Sequence, residues 1–258
     1  MNARDTILGR IREALSIEGP GPHQRAGELS GHGHAGPAPA PSRGVLPVLA
    51  LEAARPWLPD GGDTPAEREA LLAANLARLK ALFHHVPTIH AAQDLLFALA
   101  RERDWKRVAW HGSALVEELL AGVPCATLRV DDAAGLATDQ APDSAARKDA
   151  LEACDAGITA CEALVAQTGS ILVSSASCGG RSLSVLPPVH VVIATPDQLV
   201  GTLADAFDIV RGRHAGAMPS MLSFITGPSR TGDIERILVL GAHGPKELVV
   251  ILVDGARG

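Results

Sequence analysis

The sequence predicts an α/β protein, a layered and mostly parallel sheet covered by helices. Val189-His190-Val191-Val192-Ile193 and Leu248-Val249-Val250-Ile251-Leu252-Val253 are nearly continuous apolar runs, the mark of strands buried on both faces. Strand-like and helix-like stretches alternate along the chain, as they do where helices cross between parallel strands. With 258 residues, 47% of them apolar and 20% charged, the chain is long enough to bury one large core.

The elements follow in order. Met1 to Leu15 reads as a short amphipathic helix, with Asn2 able to cap it and Ile7, Leu8, Ile11 and Leu15 on one face. Between Gly19 and Gly44, 12 of 26 residues are Gly or Pro, against 44 of 258 overall, so an irregular arm is expected. Residues 1–63 therefore form a helix and arm, and 64–258 form the body. Such an arm can bind a partner, build a homo-oligomer by exchange, or fold back on its own domain. Gly31-His32-Gly33-His34-Ala35-Gly36 spells a dinucleotide fingerprint, but Pro37, Pro39 and Pro41 follow where a helix should start, so it is rejected.

The body opens at Thr64-Pro65-Ala66-Glu67, a capping box with proline in the first turn. Leu72, Leu76, Leu79 and Phe83 follow at the spacing of one helix face, and a second helix spans about Ala92 to Arg103. Arg107 to His111 reads as a strand, Gly112-Ser113 opens a helix through Leu120, and Ala126 to Val130 is a short strand. Strands are next expected at 157–159, 163–165 and 170–173, with a turn at Thr168-Gly169. A helix near 197–210, a strand at 222–225 and a short helix after Thr231 precede the last strand.

The formal charge is −6 and the pI near 5.9, with a mean hydropathy of +0.15. An acidic chain is poorly suited to nucleic acid or anionic membrane, and no apolar run approaches a membrane span. The N-terminus lacks a signal peptide's apolar stretch, so a cytoplasmic protein is expected. Cys125, Cys154, Cys161 and Cys178 form no C-x-x-C pair, which gives no support to a cluster or a structural zinc, and they read as small buried hydrophobes.

Three loops hold polar groups of the ligand-binding type. In Ser177-Cys178-Gly179-Gly180-Arg181-Ser182, Gly179 and Gly180 permit close backbone approach, and Arg181 can fork onto a carboxylate or phosphate. An ordinary loop whose arginine pairs with a surface acid is the alternative. Thr226 to Glu235 follows a strand and is expected to open a helix capped by Ser229 or Thr231. Arg230 would add charge beside the helix dipole, with Asp233 satisfying that dipole, holding Arg230 or orienting a histidine. In Leu240-Gly241-Ala242-His243-Gly244-Pro245, His243 is an exposed residue that can change charge near neutral pH. If the loops converge, Arg181, Arg230 and His243 line a pocket for a small anion. His111 is a pocket-edge residue equally explained by a capping turn, and His190 reads as a core histidine. Arg181 near Cys178 could lower the thiol's pKa.

These stretches resemble the lactate utilization protein C family, whose C-terminal segment is the LUD domain. The resemblance rests on Gly157-Ile158-Thr159, Thr168-Gly169-Ser170, and Arg181 with Leu186-Pro187-Pro188-Val189-His190. It rests further on Gly227-Pro228-Ser229-Arg230-Thr231-Gly232-Asp233-Ile234-Glu235 and Gly241-Ala242-His243-Gly244-Pro245. It implies a fold of the ribose-phosphate isomerase and CoA-transferase (NagB/RpiA/CoA transferase-like) group. It also implies a part in oxidising L-lactate to pyruvate beside iron–sulfur partner proteins, with no cofactor on this chain. The expected site comprises His243 and Asp233 as acid–base groups, with Thr168, Gly169, Ser170, Gly179, Gly180, Arg181, Ser229, Arg230, Thr231 and Gly244 around a small anion. A stand-alone enzyme of the same fold group, acting on a phosphate, CoA or nucleotide-linked substrate, is the alternative.

Overall fold

The computed structural model describes residues 59–131, 144–232, 238–240 and 244–255, and the expected N-terminal helix and most of the arm lie outside them. The two apolar runs become the strands β7 (Val189–Ala194) and β12 (Glu247–Val253), which pair in parallel. Alternation assigns their side chains to two faces. Val191, Ile193, Val249, Ile251 and Val253 pack with the helices α2 (Ile89–Glu102) and α3 (Ala114–Leu120). Val192, Ala194, Leu248, Val250 and Leu252 pack on the other face with Leu72 and Leu76 of α1 (Pro65–Arg78). A strand with two buried faces has no polar side to alternate, which is why the sequence runs apolar.

The remaining strands of this sheet are β1 (Leu82–Val86), β2 (Arg107–Trp110), β3 (Ala126–Arg129) and β4 (Ala156–Thr159). The order is β1-β12-β7-β4-β2-β3, and every neighbouring pair is parallel. From β2 the chain steps outward to β3, then returns past β2 to β4. The helix α4 (Ser144–Glu152) makes that return and packs Leu151 on the face opposite α3. Such a reversal opens a crevice at the carboxyl ends of the strands, the usual ligand position in open α/β sheets.

A second sheet of four strands lies against the first and was not anticipated as a separate layer. Its order is β8 (Leu199–Val200), β5 (Ala163–Val165), β6 (Ser170–Ser174), β9 (Leu222–Ile225). Leu164, Ile171 and Val173 face the α1 side, while Ala163, Val165 and Leu172 face Ala206 and Val210 of α6 (Leu203–Arg213).

Three expectations are corrected. The first helix stops at Arg78, Lys80 takes a left-handed φ of 65°, and Phe83 belongs to β1 rather than the helix. The helix expected over 197–210 is a 3-10 turn (Pro196–Gln198), β8 and then α6, whose capping box is Thr202 with Asp205. No helix is capped by Ser229 or Thr231, and the rest of the short helix expected after Thr231 falls on residues 233–237, outside the described residues. Arg230–Gly232 is β10, paired antiparallel with β11 (Leu238–Leu240). Residues 59–63 are tied to the body by a hydrogen bond from Gln167 Nε2 to Pro59 O at 2.6 Å, and Gly61 lies against Gly201. Among the described residues no helix is long and apolar enough to cross a membrane.

Candidate functional site

The crevice at the carboxyl edge begins where β2 and β3 end. His111 directly follows β2, and Gly112 N–H donates to Asp131 Oδ1 at 2.9 Å across the strand ends. Arg129 grips the same carboxylate with Nε and Nη2, each at 3.1 Å, and its guanidinium sits 5.0 Å over the Trp110 ring. That fork, with the Gly112 amide, holds the Asp131 carboxyl down at about 2 against partial desolvation. The His111 imidazole is half-buried, and burial pushes its pKa down, so the ring is neutral at pH 7; Asp131 opposes this and Arg129 reinforces it. Its Nδ1 is buried without a partner among the described residues.

The glycine loop packs onto this edge. The short helix α5 (Ser175–Cys178) is capped by Ser174 and stopped by Gly179, at φ 63° and ψ 23°. Gly179 lies directly on the His111 ring and Val130, and any Cβ there would collide with the imidazole. Gly180 has a φ of 107°, with open space where a Cβ would point. Beyond it a cavity of about 570 Å³ is lined by Arg147, Lys148, Gly179, Gly180, Arg181, Ser182 and Leu186. The described lining thus holds three cations and no carboxylate. Lys148 pairs with Glu152 at 3.4 Å, while Arg147 and Arg181 form no ion pair among the described residues.

The described loop residues expected around one pocket divide among three places. Gly179, Gly180 and Arg181 are at the carboxyl edge. Ser229 and Gly244 meet at the opposite, amino edge, where Ser229 N–H donates to Pro245 O at 2.9 Å and Lys246 N–H to Pro188 O at 2.8 Å, just before β12 and β7. Thr168, Gly169 and Ser170 form a turn before β6. Thr168 Oγ1 donates to Ser170 Oγ at 2.7 Å, and Ser170 and Thr226 hydroxyls share a bond at 2.8 Å. Gly169, at φ 67°, lies on Asn75 of α1, whose amide donates to Ala166 O at 2.8 Å, so this turn docks the two sheets' connections onto a helix. Arg230 and Thr231 have a described backbone in β10 only. Asp233 and His243 lie outside the described residues.

Sequence reasoning missed Arg147 and Lys148, because α4 was not anticipated. Asp143-Ser144 before Ala145-Ala146-Arg147-Lys148 is a serviceable helix start, but a single buried leucine gives it little periodic signal. Cys178 is corrected. Its thiol lies 2.9 Å from both Ser174 O and Gly180 O, either of which can accept its one proton, and burial pushes its pKa up to about 11, so Arg181 does not activate it. His190 is wholly buried, shares a 2.9 Å hydrogen bond with Thr159 through Nε2, and is held neutral by burial with a pKa near 4.

Apart from the crevice stands a buried carboxylate, Glu162. It accepts from Ser174 Oγ, from Arg213 Nη1 at 3.1 Å and from His214 Nε2 at 3.2 Å, joining β6 to the end of α6. Burial pushes its pKa up, but these hydrogen bonds outweigh that and hold it below the ordinary glutamate value.

Fold and crevice together define a helix-covered α/β domain with a cationic pocket at the sheet's reversal point. Residues 70–253 match the family model of the LUD domain, and the chain belongs to that family. It is similar to lactate utilization protein C of Bacillus subtilis, 38% identical over 105 residues, which is 40% of this chain and 44% of the relative. The protein of that name from Shouchella clausii is 36% identical over 113 residues, covering 43% and 49%. That from Deinococcus radiodurans is 34% identical over 134 residues, covering 52% and 60%. The chain thus spans about half the length of the curated relatives it matches. A crystal structure of a DUF162 family protein from Deinococcus radiodurans has the same fold, with a TM-score of 0.56 and 24% identity over 74% of this chain and 99% of that one.

Proposed function

We propose that this chain is a cytoplasmic component of an L-lactate utilization system. In that system L-lactate is oxidised to pyruvate together with iron–sulfur partner proteins, and this chain holds a small anion in the crevice formed by Gly179, Gly180, Arg181, Arg147 and Lys148. The observation that carries the reading is the 38% identity, over 105 residues, to a protein named for lactate utilization. The cavity supports its anion-binding part, since three cations without a described carboxylate attract negative charge and a low-dielectric wall strengthens that attraction. On this reading the electrons pass through the partners, and this chain's residues bind and orient.

Affinity purification of the full tagged chain from lactate-grown native cells tests the assignment. Co-purifying iron–sulfur proteins with a brown visible spectrum is the expected result. A colourless protein recovered alone under gentle and stringent washing, with lactate growth unchanged on deletion, would overturn it.

A further inference from the structure

We infer that the anion held at the carboxyl edge carries a phosphate group. This rests on the reading of that crevice as an anion site and narrows its ligand class. A carboxylate monoanion such as lactate is satisfied by one guanidinium fork. The crevice offers more. Arg147, Lys148 and Arg181 ring one cavity, and two of the three have no ion-pair partner among the described residues. A phosphate monoester, with roughly −1.5 to −2 charges and three strong acceptor oxygens, is the small anion that matches several cations at once.

The backbone adds donors to these charges. The N–H groups of Gly180, Arg181 and Ser182 donate to no described acceptor, while the carbonyls of all three accept, from Cys178 Sγ, Ser184 Oγ, and Val185 and Leu186 N–H respectively. The loop therefore spends its acceptors internally, while the N–H groups of these three cavity-lining residues stay unengaged among the described residues. His111 and Val130 pack directly against Gly179 at the start of this loop.

Size sets a further bound. About 570 Å³ exceeds what one phosphate fills and falls in the range of small-molecule sites, roughly 300–1,000 Å³. Leu186 supplies an apolar wall for the rest of the ligand. The ligand class is thus a small organic phosphate rather than a free monocarboxylate.

Calorimetric titration of the full chain with glycerol 3-phosphate, inorganic phosphate, L-lactate and pyruvate tests this. The phosphate monoester is expected to bind at least tenfold tighter than either carboxylate. Arg181→Ala should weaken it tenfold or more, while Arg211→Ala, a surface arginine paired with Asp208, changes it less than twofold. Amide shifts of Gly180 to Ser182 on adding glycerol 3-phosphate give a readout that needs no variant. Tighter binding of lactate or pyruvate, lost in Arg181→Ala, would overturn the phosphate inference and keep the anion site. Failure of every anion to move those amides would overturn both.

Discussion

Gly157 and His85 show how single positions are fixed by opposite means. Gly157, inside β4, has no room for a side chain, because a Cβ would collide with the carbonyl oxygen of Leu183 and crowd Pro187. Alanine there would gain about 0.4–1 kcal/mol from a stiffer unfolded chain, but overpacking against backbone costs about 1–3 kcal/mol. Gly157→Ala is therefore expected to lower the urea midpoint with an unchanged m-value. His85 is instead held by charge, its Nδ1 2.7 Å from Glu69 and its Nε2 2.6 Å from Asp254. The Asp254 hydrogen bond leads in raising its pKa, Glu69 adds to it, and partial burial opposes both. A raised folded pKa means the stabilisation is complete below the unfolded value near 6.5 and fades as pH climbs through the folded one. Unfolding at a series of pH values should find His85→Gln most destabilising near pH 6 and least near pH 9.

Elements were legible where burial imposed a period. The runs of β7 and β12 and the capping box of α1 stand out because two-faced burial and cap chemistry each leave local marks. Strand β1 was hidden because Phe83 falls in helical phase with Leu72 and because an edge strand carrying His84 and His85 lacks apolar continuity. The loop cations Gly179-Gly180-Arg181 could be read, whereas their meeting with Arg147 and Lys148 depends on the return of α4 across the sheet. The tie between α6 and the second sheet was equally invisible, since Glu162 and Arg213 are far apart in sequence. Removing that carboxylate's charge leaves Arg213 only the Glu162 carbonyl and the 3.8 Å contact with Asp197 and weakens the His214 bond, so Glu162→Gln is expected to cost about 1.5–3 kcal/mol by chemical denaturation. Because the folded pKa of Glu162 is depressed, its contribution should be full at neutral pH and vanish as pH falls through that lowered value.

At the scale of the molecule, the crevice lies where the strand order reverses between β2 and β4, and Gly179 and Ser229, both expected around one pocket, fall at opposite edges of one sheet. Composition and hydropathy reveal layers but not which loop ends share an edge, because that depends on strand order. The position of β12 bears on biosynthesis. It is the last of the six strands to be made, yet it lies between β1 and β7, with Phe83 facing Val250 and His190 facing Leu248. On the ribosome β1 has no partner in this sheet until residues 247–253 clear the exit tunnel, so the sheet closes only after its other five strands have emerged. A stop codon after Lys246 should therefore yield aggregated protein rather than a smaller folded one, a difference that fractionation of the translation product would read directly.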